Sequence, residues 1–156
     1  MRYILFLILI FAVSCSDSNP LLSRLDHIDS IMDENPQAAY DSLCTIKKTQ
    51  NIASAKKVNM KWRLLMATAQ NKLYMQMPTD SAFSEVVAYY DRNGSNNEKM
   101  QSRYLLGCIY RDMNDAPKAI ECYQQALCYA DTTDDNCNYN TLFRIYGQMA
   151  PLYLDN

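Results

Sequence analysis

The residue types that could carry out catalysis are few and widely separated in this chain. Hydrolysis or group transfer needs a nucleophile, an acid, a base or a metal ion held together. The chain has one histidine, His27, and neither a glycine-rich phosphate loop nor a Gly-x-Ser-x-Gly motif. A calcium loop would place acids at alternating positions before a glycine and a final glutamate, a pattern that the acids of the second half lack. These acids are Asp112, Asp115, Asp131, Asp134 and Asp135. We therefore predict no enzyme activity, no cofactor and no metal site, with His27 at the surface.

The six cysteines are the remaining candidates for reactive groups, and Cys15 stands apart from the other five. No two of them have the Cys-x-x-Cys spacing, and with a single histidine a zinc site is not expected. Because five is an odd number, at least one stays unpaired within the chain even where disulfides are permitted. We interpret most of the five as small buried hydrophobic residues. They are Cys44, Cys108, Cys122, Cys128 and Cys137.

Cys15 follows a short apolar run that starts the chain. Arg2 precedes ten uncharged apolar residues, from Ile4 to Val13, which is half of the roughly 20 residues that a membrane-spanning helix needs. A basic start, a short apolar stretch and small residues are typical of a secretory signal. The segment 12–15, Ala-Val-Ser-Cys, resembles the bacterial lipobox, although Ala12 stands where leucine is usual. The resemblance implies that residues 1–14 are a lipoprotein signal peptide and that Cys15 is lipidated; the alternative is an ordinary signal peptide and a soluble secreted product.

A lipidated Cys15 would attach the chain to a membrane through paired acyl chains, which hold a protein stably. Residues 15–20 are polar and turn-forming after the cysteine, so they are expected to be the lipidated residue and a short tether. The residue after Cys15 is Ser16 rather than an aspartate. By resemblance to known lipoprotein sorting rules, this implies that the protein is located in the bacterial cell envelope, anchored to the outer membrane rather than to the inner one. A formal charge of −2 does not favour a nucleic-acid partner, which usually requires a basic surface.

The rest of the sequence predicts an all-α fold. Apolar residues make up 49% of the chain, while only three glycines and five prolines interrupt it, and apolar positions recur three or four residues apart. We predict one helix over 21–32 and a second that starts at Pro36, with Asn35 as its cap. A third helix is predicted over about 53–75. A fourth should start after a cap at Thr79 or Asp80 and end at Asn93-Gly94, where either residue can adopt left-handed angles.

The stretch 100–133 carries the most specific pattern. After Leu106-Gly107 come Tyr110, Ala119, Tyr123 and Ala126, and this spacing resembles the tetratricopeptide repeat, a helix–turn–helix of 34 residues. The chain departs from the family at two positions, where Arg103 replaces tryptophan and Asp131 replaces proline. Gly107 and the alanines are expected to lie where helices approach closely, with Asn114-Asp115 as the turn and Asp115 as the next cap.

Weaker copies of this pattern flank the central one. The first copy consists of Trp62, Leu65, Met66 and Ala69, and the last consists of Phe143, Tyr146, Gly147 and Ala150. The resemblance implies antiparallel helix pairs stacked as a tetratricopeptide-like α-solenoid over residues 21–156, apparently incomplete at its C-terminus. The last helix would then leave an apolar stripe uncovered, and a truncated gene, a fragment or a partner chain that covers the stripe would each explain it. The stripe consists of Leu142, Ile145, Tyr146, Met149, Leu152 and Tyr153.

The family resemblance also implies a function in protein binding. Its groove-facing positions correspond here to Gln101, Tyr104, Cys108, Arg111 and Asp112. The expected protein is a membrane-anchored interaction scaffold of the bacterial envelope with an unidentified protein or peptide partner. Two alternatives stay open: the N-terminal input part of a truncated sensor or regulator, and an accessory lipoprotein of glycan uptake.

Overall fold

The structure, a computed structural model, describes residues 19–154, so the predicted signal peptide and Cys15 lie outside it. The described residues form seven α-helices and one 3-10 turn, without a strand among them, which confirms the all-α prediction. No helix in this part of the chain combines the length and the apolar character that crossing a bilayer requires. The helices are α1 (Pro20–Ser30), α2 (Pro36–Thr49), α3 (Lys56–Lys72), α4 (Asp80–Asn93), α5 (Asn96–Asp112), α6 (Ala116–Leu127) and α7 (Tyr139–Leu154).

Side chains cap several of these helices, three of them at residues that the sequence predicts: Asn35, Thr79 and Asp115. The Asn35 side chain accepts a hydrogen bond from the Ala38 N–H at 3.1 Å, and Asp115 accepts one from the Lys118 N–H at 3.2 Å. Ser95 starts α5 with a complete capping box, which satisfies two helix-end donors at once. Neighbouring side chains therefore determine where these helices start, whereas α3 begins at Lys56 without a side-chain cap.

The ends of α3 and α4 differ from the prediction. The predicted helix over 53–75 is shorter at both ends, because Ile52–Ser54 forms a separate 3-10 turn and α3 stops at Lys72. Tyr74, not a glycine or asparagine, takes the left-handed angle there, with φ of 54°. Gly94 ends α4 as expected, but with φ of −89° it is not left-handed. The predicted turn at Asn114 is confirmed, and this residue takes a left-handed conformation, with φ of 59°.

Helix α3 separates two hydrophobic clusters. One of its faces packs with α1 and α2, where the buried Trp62 donates from Nε1 to the Leu43 carbonyl at 3.0 Å. Its other face, with Leu64, joins α4, α5, α6 and α7 in a larger cluster. The stripe of α3 that contains Trp62, Leu65, Met66 and Ala69 thus packs against the preceding helices. The stripe of α5 with the same spacing packs instead against the following helix, α6. The sequence pattern is shared, but the direction of packing is not.

Helices α5 and α6 approach each other closely at Gly107. A Cβ atom built on Gly107 would lie only 2.4 Å from Cε1 of Tyr123, far inside van der Waals contact. Tyr123, Ala119 and Ala126 have no exposed surface, so the ring cannot move aside into solvent. The prediction that Gly107 marks a close approach is confirmed. Helix α5 also contacts α3, α4 and α7, which makes it the central helix of the larger cluster.

Helix α7 turns a different face outward than the sequence predicts. Ile145 and Met149, expected in an uncovered stripe, are buried against the core, and Leu142 and Leu152 are half-buried and pack against the same cluster. Burial of Ile145 and Met149 directs the opposite side of the helix to solvent, since side chains four residues apart share one face. Tyr146 and Tyr153 are exposed as predicted, together with residues that the prediction did not include.

Replacing Gly107 with leucine is expected to lower the free energy of unfolding by about 1–3 kcal/mol, because the new side chain overlaps the buried Tyr123 ring. Thermal or urea unfolding followed by circular dichroism measures the loss. The matched test is a double-mutant cycle with Tyr123→Ala, in which Gly107→Leu should cost less because the ring is gone. Equal costs in both backgrounds would contradict a direct clash.

Candidate binding groove

A polar cavity of about 130 Å³ opens between the end of α1 and the helices α3, α5 and α7. Most of the side chains around it carry an amide, a hydroxyl or a charge. We refer to it as the polar groove, and its lining is Asp29, Met32, Asp33, Thr68, Asn71, Lys72, Gln101, Tyr104, Leu105, Asn138, Asn140, Thr141 and Arg144.

Two hydrogen bonds between α3 and α5 form the floor of the polar groove. Gln101 donates from Nε2 to Thr68 Oγ1 at 3.0 Å, and Asn71 donates from Nδ2 to the Tyr104 hydroxyl at 3.3 Å. Burial raises the pKa of Tyr104 far above its ordinary value, so its hydroxyl stays protonated at neutral pH. The floor therefore consists of neutral groups that can both donate and accept hydrogen bonds.

The rim of the polar groove is organised around the carboxylate of Asp33, in the loop after α1. Lys72 of α3 forms an ion pair with it, Asn140 of α7 donates to its Oδ2 at 2.9 Å, and Arg144 Nη2 lies 3.6 Å from its Oδ1. The hydrogen bond from Lys72 is the main cause that lowers the pKa of Asp33, assisted by Asn140 and by the charge of Arg144. One carboxylate thus links the first helix to both walls of the groove.

The structure places the five predicted groove residues in three different environments. Gln101 and Tyr104 line the polar groove. Cys108 has no exposed surface; the Tyr123 hydroxyl donates to its sulfur at 3.6 Å, so its side chain offers nothing to a ligand. Arg111 and Asp112 lie outside the groove lining. Arg111 binds Asp112 on its own helix and donates to Gln148 of α7 at 2.6 Å, a contact that holds α5 to α7.

Several groove residues were not predicted from the sequence. Thr141 and Arg144 follow Gln101 and Tyr104 at the spacing of 40 residues that the repeat pattern shows between Arg103 and Phe143, so the pattern could have identified them.

The α3 residues could not be found in this way. The hydrogen-bonded pairs Thr68–Gln101 and Asn71–Tyr104 are 33 residues apart, whereas the sequence pattern places corresponding residues 41 apart. Asp33 belongs to no copy of the pattern, and only the folded chain brings it to α7.

Metal-binding and nucleophilic side chains are the other groups of the described residues that could take part in chemistry. Among the described residues, no three side chains of the types that bind metals come close together. The five described cysteines are free thiols. Burial raises the pKa of Cys108 and raises that of Cys122 to about 11, which keeps both thiols protonated and poorly nucleophilic. His27 is exposed, as predicted.

No family model, no curated protein and no solved structure matches this chain. The contacts within the chain are therefore the basis for a functional proposal.

Replacing Asp33 with asparagine is expected to lower the free energy of unfolding at pH 7 by at most about 1 kcal/mol, since half of its side chain is exposed and exposed ion pairs contribute little. Because folding lowers the pKa of Asp33, its contribution is present above the unfolded value near ~3.9 and is lost as the pH falls through the folded pKa. Urea unfolding of the wild-type protein and the variant at pH 7, 5 and 3 should show that the difference between their free energies of unfolding, the gap, shrinks at acidic pH. Glu34→Gln, which removes the same charge from the exposed neighbouring residue, should show no such gap, and a gap independent of pH would contradict the ion-pair interpretation.

Proposed function

We propose that this protein is a lipid-anchored module of the bacterial envelope that binds an extended peptide segment of another protein in the polar groove. The observation that carries the proposal is the polar groove itself, where amide and hydroxyl groups from three neighbouring helices point into one cavity. Such groups pair well with the N–H and C=O groups of a peptide backbone, since each can serve as donor or acceptor.

The size of the polar groove favours part of a large ligand over an entire small one. At about 130 Å³ it is well below the ~300–1,000 Å³ of pockets that enclose small molecules. The space accommodates a short stretch of chain or one side chain, with the rest of the ligand lying on the surface outside. Lys72, Arg144 and Asp33 at the rim add charges of both signs, which can determine the position of a peptide along the groove.

We further propose that the helices form a tetratricopeptide-like solenoid, at least over α5, α6 and α7. Three observations support it: the pattern of α5 recurs 40 residues later in α7, α5 contacts α3 on one side and α7 on the other, and Gly107 lies against Tyr123. Consecutive first helices of such repeats would line a common groove, as α3, α5 and α7 do around the polar groove. The different packing of the Trp62 stripe makes α1, α2 and α3 the least regular part.

The predicted anchor would keep the polar groove near a membrane surface. Helix α1 begins at Pro20, five residues after Cys15. Extended residues reach about 3.5 Å each, so acylation of Cys15 would hold the first helix within roughly 20 Å of the bilayer. A partner bound there would itself belong to the envelope or carry a segment exposed at the membrane.

Substitutions in the polar groove are expected to weaken peptide binding without unfolding the protein. Peptides selected from a randomised library against the native protein provide the ligand, and fluorescence anisotropy measures Kd. Gln101→Ala and Arg144→Gln should each raise Kd by about tenfold, the cost of losing one good polar contact. Arg92→Gln makes the same charge change on α4 and should leave Kd unchanged. Loss of affinity in the α4 variant alone, or oligosaccharide binding without any peptide binding, would contradict the proposal.

The proposed anchor has a separate test. In cells fed an alkyne-labelled palmitate, the wild-type protein should take up label and move to the membrane fraction, while Cys15→Ala should do neither, because the acylated thiol is missing. Cys128→Ala, which removes an exposed cysteine of α6's C-terminal end, is the matched control and should label normally. Equal labelling of the Cys15 variant would exclude lipidation at that position.

A further inference from the structure

Helix α7 exposes a continuous apolar stripe along one side. Its five large members are between 52% and 85% exposed, and Gly147 and Ala150 are exposed between them. At 3.6 residues per turn all seven positions fall within an arc of about 120°. We call this surface the α7 stripe: Tyr139, Phe143, Tyr146, Gly147, Ala150, Tyr153 and Leu154. Single exposed apolar residues are ordinary, but a contiguous patch of aromatic rings indicates an interaction surface.

The α7 stripe combines large rings with empty space beside them. Phe143 and Tyr146 project from it, while a Cβ atom built on Gly147 would meet nothing within 4 Å. Forty residues earlier the corresponding glycine, Gly107, is covered by the ring of Tyr123 from an antiparallel helix. The α7 stripe therefore contains both groups that form the contact between Gly107 and Tyr123: an exposed aromatic ring and a glycine against which a ring can pack.

The stripe also lacks charge. Arg144 is the single charged residue of α7, and it lies on the groove side, near Asp33. Two copies of the stripe could meet without opposing like charges or burying an unpaired one, either of which would cost free energy. A partner with a charged surface would gain nothing here from electrostatic attraction.

We propose that the occupant of the α7 stripe is the α7 stripe of a second copy of this chain. The two helices would cross antiparallel about a two-fold axis that passes between residues 146 and 147. In that register Tyr146 covers the partner's Gly147, Phe143 covers the partner's Ala150, and Tyr139 lies beside the partner's Leu154. Each large residue then meets a small one at the centre, and the contact is self-complementary as a two-fold interface requires.

The exposed area is close to what a stable dimer needs. Four aromatic side chains and one leucine, each more than half exposed, offer roughly 500–700 Å² per copy, given the ~150–250 Å² that an aromatic side chain can bury. A standard interface buries about 800 Å² per partner. Groove residues Asn140 and Arg144 lie about 80° and 120° from the centre of the α7 stripe at 3.6 residues per turn, on the flank of the helix that faces the polar groove. This inference does not depend on peptide binding.

Sedimentation equilibrium of the full chain in density-matched detergent tests the proposal. The wild-type protein should have the mass of two chains at micromolar concentration. Phe143→Ala leaves a void and Ala150→Phe creates a clash, so each should raise the dimer Kd at least about tenfold. The double variant Phe143→Ala/Ala150→Phe exchanges the large and small residues of the same pair and should recover the dimer. Tyr74→Ser, which removes an exposed ring outside α7 (97% exposed), is the control and should stay dimeric.

Recovery in the double variant is specific to this register, because a contact made elsewhere would not respond to the exchange. The proposal is overturned if the wild-type protein has the mass of one chain, if the single variants remain dimeric, or if the double variant is as weak as the single ones. A mass equal to one chain plus a different protein would assign the stripe to that protein, and would also overturn the proposal. Anisotropy with a groove-binding peptide should give the same Kd for Phe143→Ala and wild type, which separates this test from that of the proposed function.

Discussion

The position of α5 depends on the contact between Gly107 and the ring of Tyr123. Only a residue without a side chain allows the ring this close, and the ring is held there by complete burial. Since α5 contacts α3, α4, α6 and α7, a shift of this one helix pair would move every wall of the larger cluster. Close packing transmits such shifts because a protein interior has little free volume to absorb them.

The polar groove is a consequence of this packing. Its floor residues Gln101 and Tyr104 belong to α5, and their partners Thr68 and Asn71 belong to α3, so the core that positions the two helices also aligns the hydrogen bonds. Asp33 adds a different kind of contact, because it joins residues 107 positions apart through an exposed carboxylate. Exposed charge pairs contribute little free energy. The apolar core therefore holds the groove in shape, and Asp33 adds a contact with both α3 and α7 at its rim.

The features that the sequence predicted correctly are those determined by neighbouring residues. The caps at Asn35 and Asp115 and the turn at Asn114 depend on a few adjacent side chains, and Gly107 carried a recognisable spacing. The groove residues depend on how far each helix is rotated and shifted against the others. Helix α5 is buried on nearly all sides, from Tyr104 to Ile109 without interruption, so its sequence could not distinguish the groove-facing Tyr104 from the core-facing Cys108. The contact of Asp33 with α7 has no local signal, because it exists only after the whole chain has folded.

Helices α5 and α7 carry the same pattern but differ in what covers them. Covering the α7 stripe removes roughly 500–700 Å² of apolar surface per copy from water, which favours pairing. Association of two molecules costs translational and rotational freedom as well as the ordering of side chains, so the extent of pairing depends on concentration. An anchor at Cys15 would confine two copies to one membrane surface and raise their effective concentration. The lipid anchor and the α7 stripe would then act together, since the first reduces the entropic cost that the second must overcome.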